Sequence, residues 1–362
     1  MKASRIATGK KLPYSVSRDS AIMAISLDNS DASEPPSREF VFCSPAMHSL
    51  YTVAVQVAGS DASVLIFGES GTGKELFARL LHTLSHRAAR PFVPVNCGVL
   101  QGELFADKFF GHEAGAFTGA NRQRKGAFEM AESGTLFLDE VGEIPPANQA
   151  DFLRVLEERS FRRMGGEKDL PFQARIVAAT NRPLNQMVQQ GAFRADLFYR
   201  LNVVPVLLPP LRDRKEDIHL ITDHVFLLFK HRYHRHDLSL HEDVYEAFDS
   251  YSWPGNVREL RNLLERMVLL ADSGTITAAH LPLDFRLASE HSLPQPGSQA
   301  GHSDESPDGL LLDLAVRNAE MRAIIRALRY TKGHKGKAAE ALGISQRSLR
   351  YKLAEYKLGL LI

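Results

Sequence analysis

The chain has 362 residues, 44% of them hydrophobic, with 44 Lys/Arg against 43 Asp/Glu for a formal net charge of +1. That length supports a sizeable core shared by two or three domains, and the balanced charge excludes any overall electrostatic bias towards nucleic acid. Cys43 and Cys97 are too few and too far apart for a disulfide framework or a tetrahedral metal site, which fits a reducing cytosol, and no apolar run approaches the roughly 18 residues that would span a bilayer.

Residues 1–40 are rich in Ser, with scattered charges and a Pro35-Pro36 pair, and read as a flexible segment. Within them Ala21 to Leu27, bracketed by Asp19 and Asp28, reads as loose chain and not as a secretory signal. Across 41–212 short apolar runs alternate with helical stretches. The strand candidates are Val64 to Phe67, Phe92 to Val95, Thr135 to Leu138, Arg175 to Ala179 and Val203 to Leu207. Near-continuous apolar strands separated by helices predict an α/β fold with a parallel sheet covered on both faces. Over 213–285 helical periodicity takes over, with Leu260, Leu263, Leu264, Met267, Val268 and Ala271 on one face, as in a small helical lid subdomain. The stretch 286–309 has a linker composition: five Ser, three Pro and three Gly lie between Ser289 and Gly309. From 311 to 362 there are 11 Lys/Arg against four Asp/Glu, a local +7 that leaves −6 for the rest, so 310–362 reads as a basic module.

The chemistry begins at Gly68-Glu69-Ser70-Gly71-Thr72-Gly73-Lys74, which follows the first of these strands and opens a helical pattern. Backbone N–H groups of such a turn point at phosphate oxygens while the lysine reaches the β/γ-phosphates, which implies ATP. Glu75 stands where P-loops in general place the Ser/Thr that binds Mg2+. Asp139 and Glu140 end an apolar strand, where carboxylates are costly unless something binds them. We assign Asp139 to the metal and Glu140 to activation of the attacking water. About forty residues past the phosphate loop, Gly115-Ala116-Phe117-Thr118-Gly119-Ala120 sets an apolar ring and a hydroxyl between glycines, which suits a mobile tip that touches a partner protein. In the basic module Lys337 to Ser345 gives a short helix, a glycine turn and a serine able to cap the next helix. With Leu349 and Leu353 inward, Arg347, Arg350 and Tyr351 project outward and Gln346 and Ser348 sit near the helix start, the arrangement of a recognition helix in a major groove. Lys332, Lys335 and Lys337 suit phosphates better than bases. His231, His234, His236 and His241 read as a solvated helix end and not as a metal site, and Cys97 as a small buried residue.

These residues together resemble the AAA+ core of bacterial enhancer-binding proteins, the activators of sigma-54 RNA polymerase, joined to a Fis-type helix-turn-helix. The likeness runs from about Phe42 to Leu283 and again from Leu311 to Lys357; the family's phosphate loop also carries Glu after the lysine, and its sigma-54 contact loop matches Gly115 to Ala120 letter for letter. The resemblance implies roles for single residues. Asn96 is similar to a switch that holds the catalytic glutamate, Thr180 and Asn181 to a first sensor, Arg194 and Arg200 to arginine fingers, and Arg258 to a second sensor on the lid. On sequence physics alone those arginines are surface residues of amphipathic helices. Phe161 to Glu167 is either an ordinary β-turn or the partner loop to the first. Arginines that complete a neighbour's site imply a homo-oligomeric ring, a hexamer in the family.

Some positions depart from the family pattern. Lys108, in Ala106-Asp107-Lys108-Phe109-Phe110, reverses a charge near the base of the contact loop; His334 replaces an Asn; and Leu349-Arg350-Tyr351-Lys352 reorders the helix, so a DNA sequence preference cannot be transferred. With no receiver domain ahead of the core, control is expected from a regulatory partner protein or from expression level. The sequence thus points to a cytoplasmic transcriptional activator that hydrolyses ATP, binds enhancer DNA and remodels the sigma-54 RNA polymerase holoenzyme. The alternative is a DNA-binding repressor with a non-catalytic AAA+ scaffold.

Overall fold

The structure is a computed structural model that describes residues 14–16, 22–27, 39–98, 102–272 and 274–282 and, nearer the C-terminus, 324, 327, 331, 334–342, 344–346, 348, 349 and 352. It divides into two compact units, 1–293 and 294–362.

The first unit opens with strands β1 (Tyr14–Val16), β2 (Met23–Ser26) and β3 (Glu39–Phe42), joined as an antiparallel sheet in the order β1-β2-β3. Strand β2 corrects the reading of Ala21 to Leu27 as loose chain over Met23–Ser26, and the remainder of the segment 1–40 outside 14–16, 22–27 and 39–40 lies beyond the described residues. Composition averaged over the segment hid one strand whose Ile25 is 1% exposed and packs with Phe40 and Phe42 in the main core. Helix α1 (Pro45–Ala58) follows, then β4 (Val64–Phe67), α2 (Lys74–Thr83), β5 (Phe92–Asn96), α3 (Glu103–Phe110), the short pair β6 (Gly111–His112) and β7 (Arg124–Lys125), and α4 (Ala127–Met130). Next come β8 (Thr135–Asp139), α5 (Pro146–Glu158), β9 (Ser160–Phe161), β10 (Leu170–Pro171), β11 (Arg175–Thr180), α6 (Leu184–Gln189), α7 (Ala195–Leu201) and β12 (Val204–Leu207).

Five of these strands form the parallel sheet the sequence predicted, in the order β12-β4-β11-β8-β5. Alternate side chains of a strand face opposite sides. Leu65, Leu136, Leu138, Ile176 and Ala178 accordingly enter one core with Phe105, Phe109 and Phe152, while Val64, Ile66, Phe137, Val177 and Ala179 enter the other with Phe77, Leu80 and Leu81. Both faces being covered is why the inner strands β4, β8 and β11 are near-continuously apolar, whereas the edge strands β12 and β5 are only partly buried.

A third core belongs to the lid: α8 (Glu216–Arg232), β13 (Ser239–Leu240), α9 (Glu242–Ser250), α10 (Asn256–Leu270) and β14 (Thr275–Ile276). The apolar face of α10 buries Leu260, Leu263, Leu264, Met267 and Val268, with Ala271 packed partly against them, around a fully buried Trp253 whose Nε1 donates to Phe248 O at 2.9 Å. His241 caps α9 by accepting from Asp243 N, the His231 and His236 rings meet edge to face, and no group of residues suited to a metal ion occurs among the described residues. Among those residues, no helix is long and apolar enough to cross a membrane.

In the second unit, α11 (Lys335–Ala341) buries Ala338 and Ala339 against Ile324, Ala327 and Leu349. Ser345 Oγ accepts from Ser348 N at 3.1 Å, which starts the following helix. The linker expected at 286–309 lies outside the described residues.

Candidate functional site

Strand register assembles the site. β11 pairs Thr180 with Phe67 of β4, and β5 pairs Asn96 with Asp139 of β8, so Phe67, Asn96, Asp139 and Thr180 finish at the same edge of the sheet. Ligands of open parallel sheets bind outside the carboxyl ends of the strands. Gly68 to Gly73 turns there, Gly68 N donating to Thr180 O, with Gly71 at φ +81° and Gly73 at φ +102°, backbone angles that suit glycine. Lys74 then begins α2 and folds its side chain back across the turn, Nζ donating to Gly68 O at 2.7 Å and Glu69 O at 2.9 Å. Thr72 Oγ1 also donates to Glu69 O. The loop therefore forms a closed ring with a cation at its centre. Burial lowers the Lys74 ammonium from its ordinary value, and the Asp139 carboxylate pulls the other way.

Beside it stands the acid pair. Asp139 Oδ1 accepts from Glu140 N at 3.0 Å, and burial raises the Asp139 carboxyl above its ordinary value against the opposing pull of that hydrogen bond and of Lys74. Glu140 holds a left-handed φ of +53°, uncommon for a residue with a side chain, and such strain gathers at functional sites. Its carboxylate reaches back towards β5: a Cβ built on Gly98 would lie 2.6 Å from Glu140 Oε2 and 3.3 Å from Asn96 Oδ1. Asn96 Oδ1 accepts from Gly98 N at 2.7 Å, so the acid and the amide face each other across a glycine. Cys97 is fully buried and its thiol is driven far up by burial and then by the neighbouring carboxylates, which makes it inert.

The lid clamps this loop from the other side, through residues that sequence reasoning missed. Asn256, fully buried at φ +52°, donates from Nδ2 to Glu69 Oε2 and Ser70 O and accepts at Oδ1 from Leu211 N. Arg212 grips the Glu69 carboxylate with both terminal nitrogens at 2.6 and 2.9 Å, holding it well below its ordinary range, at about 2. Val257 N donates to Gly71 O, and a Cβ on Gly71 would meet Gly255 O at 2.3 Å, so the two backbones touch. Arg214, 2% exposed, donates from Nη2 to Thr72 O. The signal was legible in part: Pro254-Gly255-Asn256 ahead of an apolar helix marks a tight turn entering α10.

The predicted site residues divide accordingly. The structure brings together Gly68 to Lys74, Asn96, Asp139, Glu140, Thr180 and, from the lid, Arg258, whose Nη1 donates to Ser70 Oγ at 2.7 Å. Glu69 turns its carboxylate to the lid instead of to a ligand, and Glu75 pairs with Arg79 along α2 at 2.7 Å. Thr180 Oγ1 accepts from Arg182 N, while Asn181 is exposed. Arg194 pairs with Asp196 at 2.8 Å and Arg200 donates to Leu156 O; both are exposed, and neither bonds to loop 68–74 among the described residues.

Between Thr72, Gly73 and Leu76 on one side and Ile221, His224, Val225 and Leu228 of α8 on the other runs a largely apolar slot, closed by Glu39 to Val41 of β3. It adjoins the start of α2, whereas the cleft at Ser70, Arg258, Asn262 and Arg266 is more open.

The contact loop rises from β6. Gly115 N donates to Ala120 O at 2.8 Å and Ala120 N to Phe117 O at 3.0 Å, with Gly115 and Gly119 at φ +85° and +107°. Thr118 is exposed, and Phe117 lies edge to face on His112 at 4.9 Å. At its root His112 Nδ1 is 2.5 Å from Asp107 Oδ1, and Arg124 joins Asp107 at 2.9 Å, so Asp107, next to Lys108, anchors the base. Phe161 to Glu167 is more than an ordinary turn. Met164 exchanges backbone hydrogen bonds with Gly111 and Glu113, Arg163 bridges Glu113 and Glu129, and a Cβ on Gly165 would sit 2.8 Å from that of Ala116.

In the second unit Gln346 and Ser348 are exposed, as are Lys335 and Lys337; Arg347, Arg350 and Tyr351 lie outside the described residues.

Three family descriptions match in order: the Sigma-54 interaction domain over residues 40–207, the AAA+ ATPase lid domain over 212–297, and the Bacterial regulatory protein, Fis family, over 315–356. Regulatory protein AtoC of Escherichia coli is 46% identical over 86% of this chain and 66% of its own length. Nitrogen fixation protein AnfA of Azotobacter vinelandii is 42% identical over 56% of its length, so the chain spans only part of these relatives. Response regulator protein PilR of Pseudomonas aeruginosa is 40% identical over 95% of this chain and 75% of its own. Crystal structures of NtrX from Brucella abortus, one in complex with ADP and one with ATP, superpose with a TM-score of 0.65 at 33% identity, covering 87% of this chain and 68% of theirs. With a phosphate loop, acid pair and lid clamp on one sheet edge and homology that extends through the basic module, the chain belongs to the bacterial regulators that join a sigma-54 interaction domain of AAA+ fold to a lid and a Fis-type DNA-binding module.

Proposed function

We propose that this protein is an ATP-hydrolysing transcriptional activator that binds enhancer DNA and remodels the closed complex of sigma-54 RNA polymerase so that it can open. The observation that carries the reading is the union, in one unit, of the Lys74, Asp139 and Glu140 edge with a self-closed tip that exposes Thr118. Phosphates fit the ring of loop 68–74, whose lysine now spends its protons on the loop's own carbonyls and would exchange them for a γ-phosphate. Glu140, facing Asn96 across Gly98, is placed to take a proton from the attacking water, and the amide holds the carboxylate until the phosphates arrive. The base occupies the apolar slot beside Gly73.

A Mg2+ ion suits the donors present. Asp139 is a partly buried carboxylate to which, among the described residues, no side chain donates, and burial raises it above its ordinary value. Asp139 would hold the ion, directly or through water, and a divalent cation there neutralises charge on the β- and γ-phosphates. Glu75 is taken up by Arg79 and leaves that task to Asp139.

Arg194 and Arg200 are exposed and free of the local phosphate loop, which supports a role at the site of a neighbouring protomer in a homo-oligomeric ring, a hexamer as the family resemblance implies. Gln346 and Ser348, with Arg347, Arg350 and Tyr351, read the enhancer. The ring works in the cytoplasm.

Two variants test the scheme in reconstituted transcription from a sigma-54 promoter. Lys74→Ala loses ATP turnover and activation together, whereas Thr118→Ala keeps turnover and loses activation. Normal activation by Thr118→Ala overturns the contact-loop assignment, and activation without any nucleotide turnover overturns the whole reading in favour of an inert scaffold.

A further inference from the structure

The slot beside Gly73 has apolar walls in Val41, Leu76, Ile221, Val225, Leu228 and Val257 and one acidic group, Glu39. Glu39 Oε2 stands 3.4 Å from His224 Nδ1, the two side chains being 22% and 18% exposed. Burial pushes His224 below its ordinary value, so the imidazole is neutral at pH 7 and the pair keeps the charge of the carboxylate. The acid is also delivered by a fixed element. β3 is tied to β2 on one side, and just past its end Cys43 N and Ser44 N both donate to Asp217 Oδ1 at 2.7 Å on α8, the helix that carries His224. Two guanidinium side chains also line the slot: the exposed Arg261, and Arg214, which is 2% exposed and whose Nε has no partner among the described residues. Buried polar groups find partners, so an orphan donor and a carboxylate around an apolar slot are consistent with a planar, apolar ligand that has polar edges.

Resting on the nucleotide reading above, we infer that Glu39 is the residue that selects adenine over guanine. An ionised carboxylate only accepts hydrogen bonds. It accepts from the 6-amino group of adenine and meets the 6-oxo group of guanine lone pair against lone pair. His224 holds the carboxylate to the wall and the strand fixes its height in the slot, so the discrimination does not depend on a loop folding around the base.

The test titrates the full chain with N-methylanthraniloyl ATP and GTP and follows fluorescence, a readout independent of hydrolysis. The wild type binds the ATP probe at least about tenfold more tightly, the scale on which one charge-assisted hydrogen bond discriminates. Glu39→Gln, nearly isosteric, can turn its amide to donate to a 6-oxo group, and brings the two affinities within about threefold while ATP binding falls little. Glu39→Ala loses the preference through weaker ATP binding. An unchanged ATP-to-GTP ratio in Glu39→Gln overturns the inference, as does a parallel loss of both ligands, which would mark Glu39 as a support of β3. A wild type that binds neither probe overturns the nucleotide reading itself, and is told apart because it needs no variant.

Discussion

Asn256 joins the lid to the phosphate loop, and replacing it predicts how much that junction is worth. In Asn256→Ala the fully buried amide is lost with its three hydrogen bonds, leaving Leu211 N unpaired in the interior. An orphaned buried donor costs about 1–3 kcal/mol, and each of the two bonds to the loop contributes about 1 kcal/mol. The left-handed φ of +52° suits Asn far better than Ala, which adds about 1 kcal/mol. The sum is about 4–6 kcal/mol, a fall in melting temperature on the order of 10 °C for a unit of this size. Asn256→Gly relieves the backbone and should recover about 1 kcal/mol of it, separating strain from lost contacts. Because Glu69 and Ser70 each lose one of their bonds to the lid, keeping those from Arg212 and Arg258, N-methylanthraniloyl ATP should bind at least about tenfold more weakly while far-ultraviolet circular dichroism stays native. Asn256→Ala melting within about 1 °C of the wild type, with unchanged nucleotide affinity, would refute the clamp.

Three further outcomes follow from the same geometry. Asp139→Asn should abolish hydrolysis yet raise thermal stability at neutral pH: burial raises this carboxyl in the fold, so its ionised form is the costly one, folding loses stability as pH rises through that raised value, and the amide removes the penalty; melting scans between pH 4 and 8 check the sign. Gly71→Ala places a Cβ 2.3 Å from Gly255 O at a φ of +81°, and should push the lid off the loop and weaken nucleotide binding by at least about tenfold, measured by the same fluorescence titration. Mixing Lys74→Ala with Arg200→Ala protomers, each inactive alone, should restore ATP turnover, since some sites in a mixed ring pair an intact loop with an intact arginine; no recovery at any ratio counts against a shared site.

The sheet and the phosphate loop were plain in the sequence because local rules dictate both. The three inner strands of a covered parallel sheet must be largely apolar, and a glycine turn between strand and helix has few other uses. The lid clamp was hidden for the opposite reason. Glu69 reads as a solvated acid of the loop until Arg212 and Asn256, 143 and 187 residues away, fold onto it. Strand β2 was missed because a short strand takes its stability from its partner: Met23–Ser26 is unremarkable chain until Glu39–Phe42 lies beside it and Ile25 reaches the core. Arg194 and Arg200, proposed above to act on a neighbouring protomer, show the limit of a single chain, since among the described residues nothing sets them apart from ordinary surface arginines.

The way the contact loop closes on itself governs how it can push. One backbone bond ties Gly115 to Ala120, a second ties Ala120 to Phe117, and the flexible angles sit at the two glycines. In the proposed activator such a tip would swing as a stiff tooth and not crumple like a cord, so a small tilt at its root would arrive at Thr118 as displacement with little lost to slack. The backbone bonds through Met164 gear the neighbouring loop to the same tooth, and stroke length is then set by leverage about the Asp107 anchor.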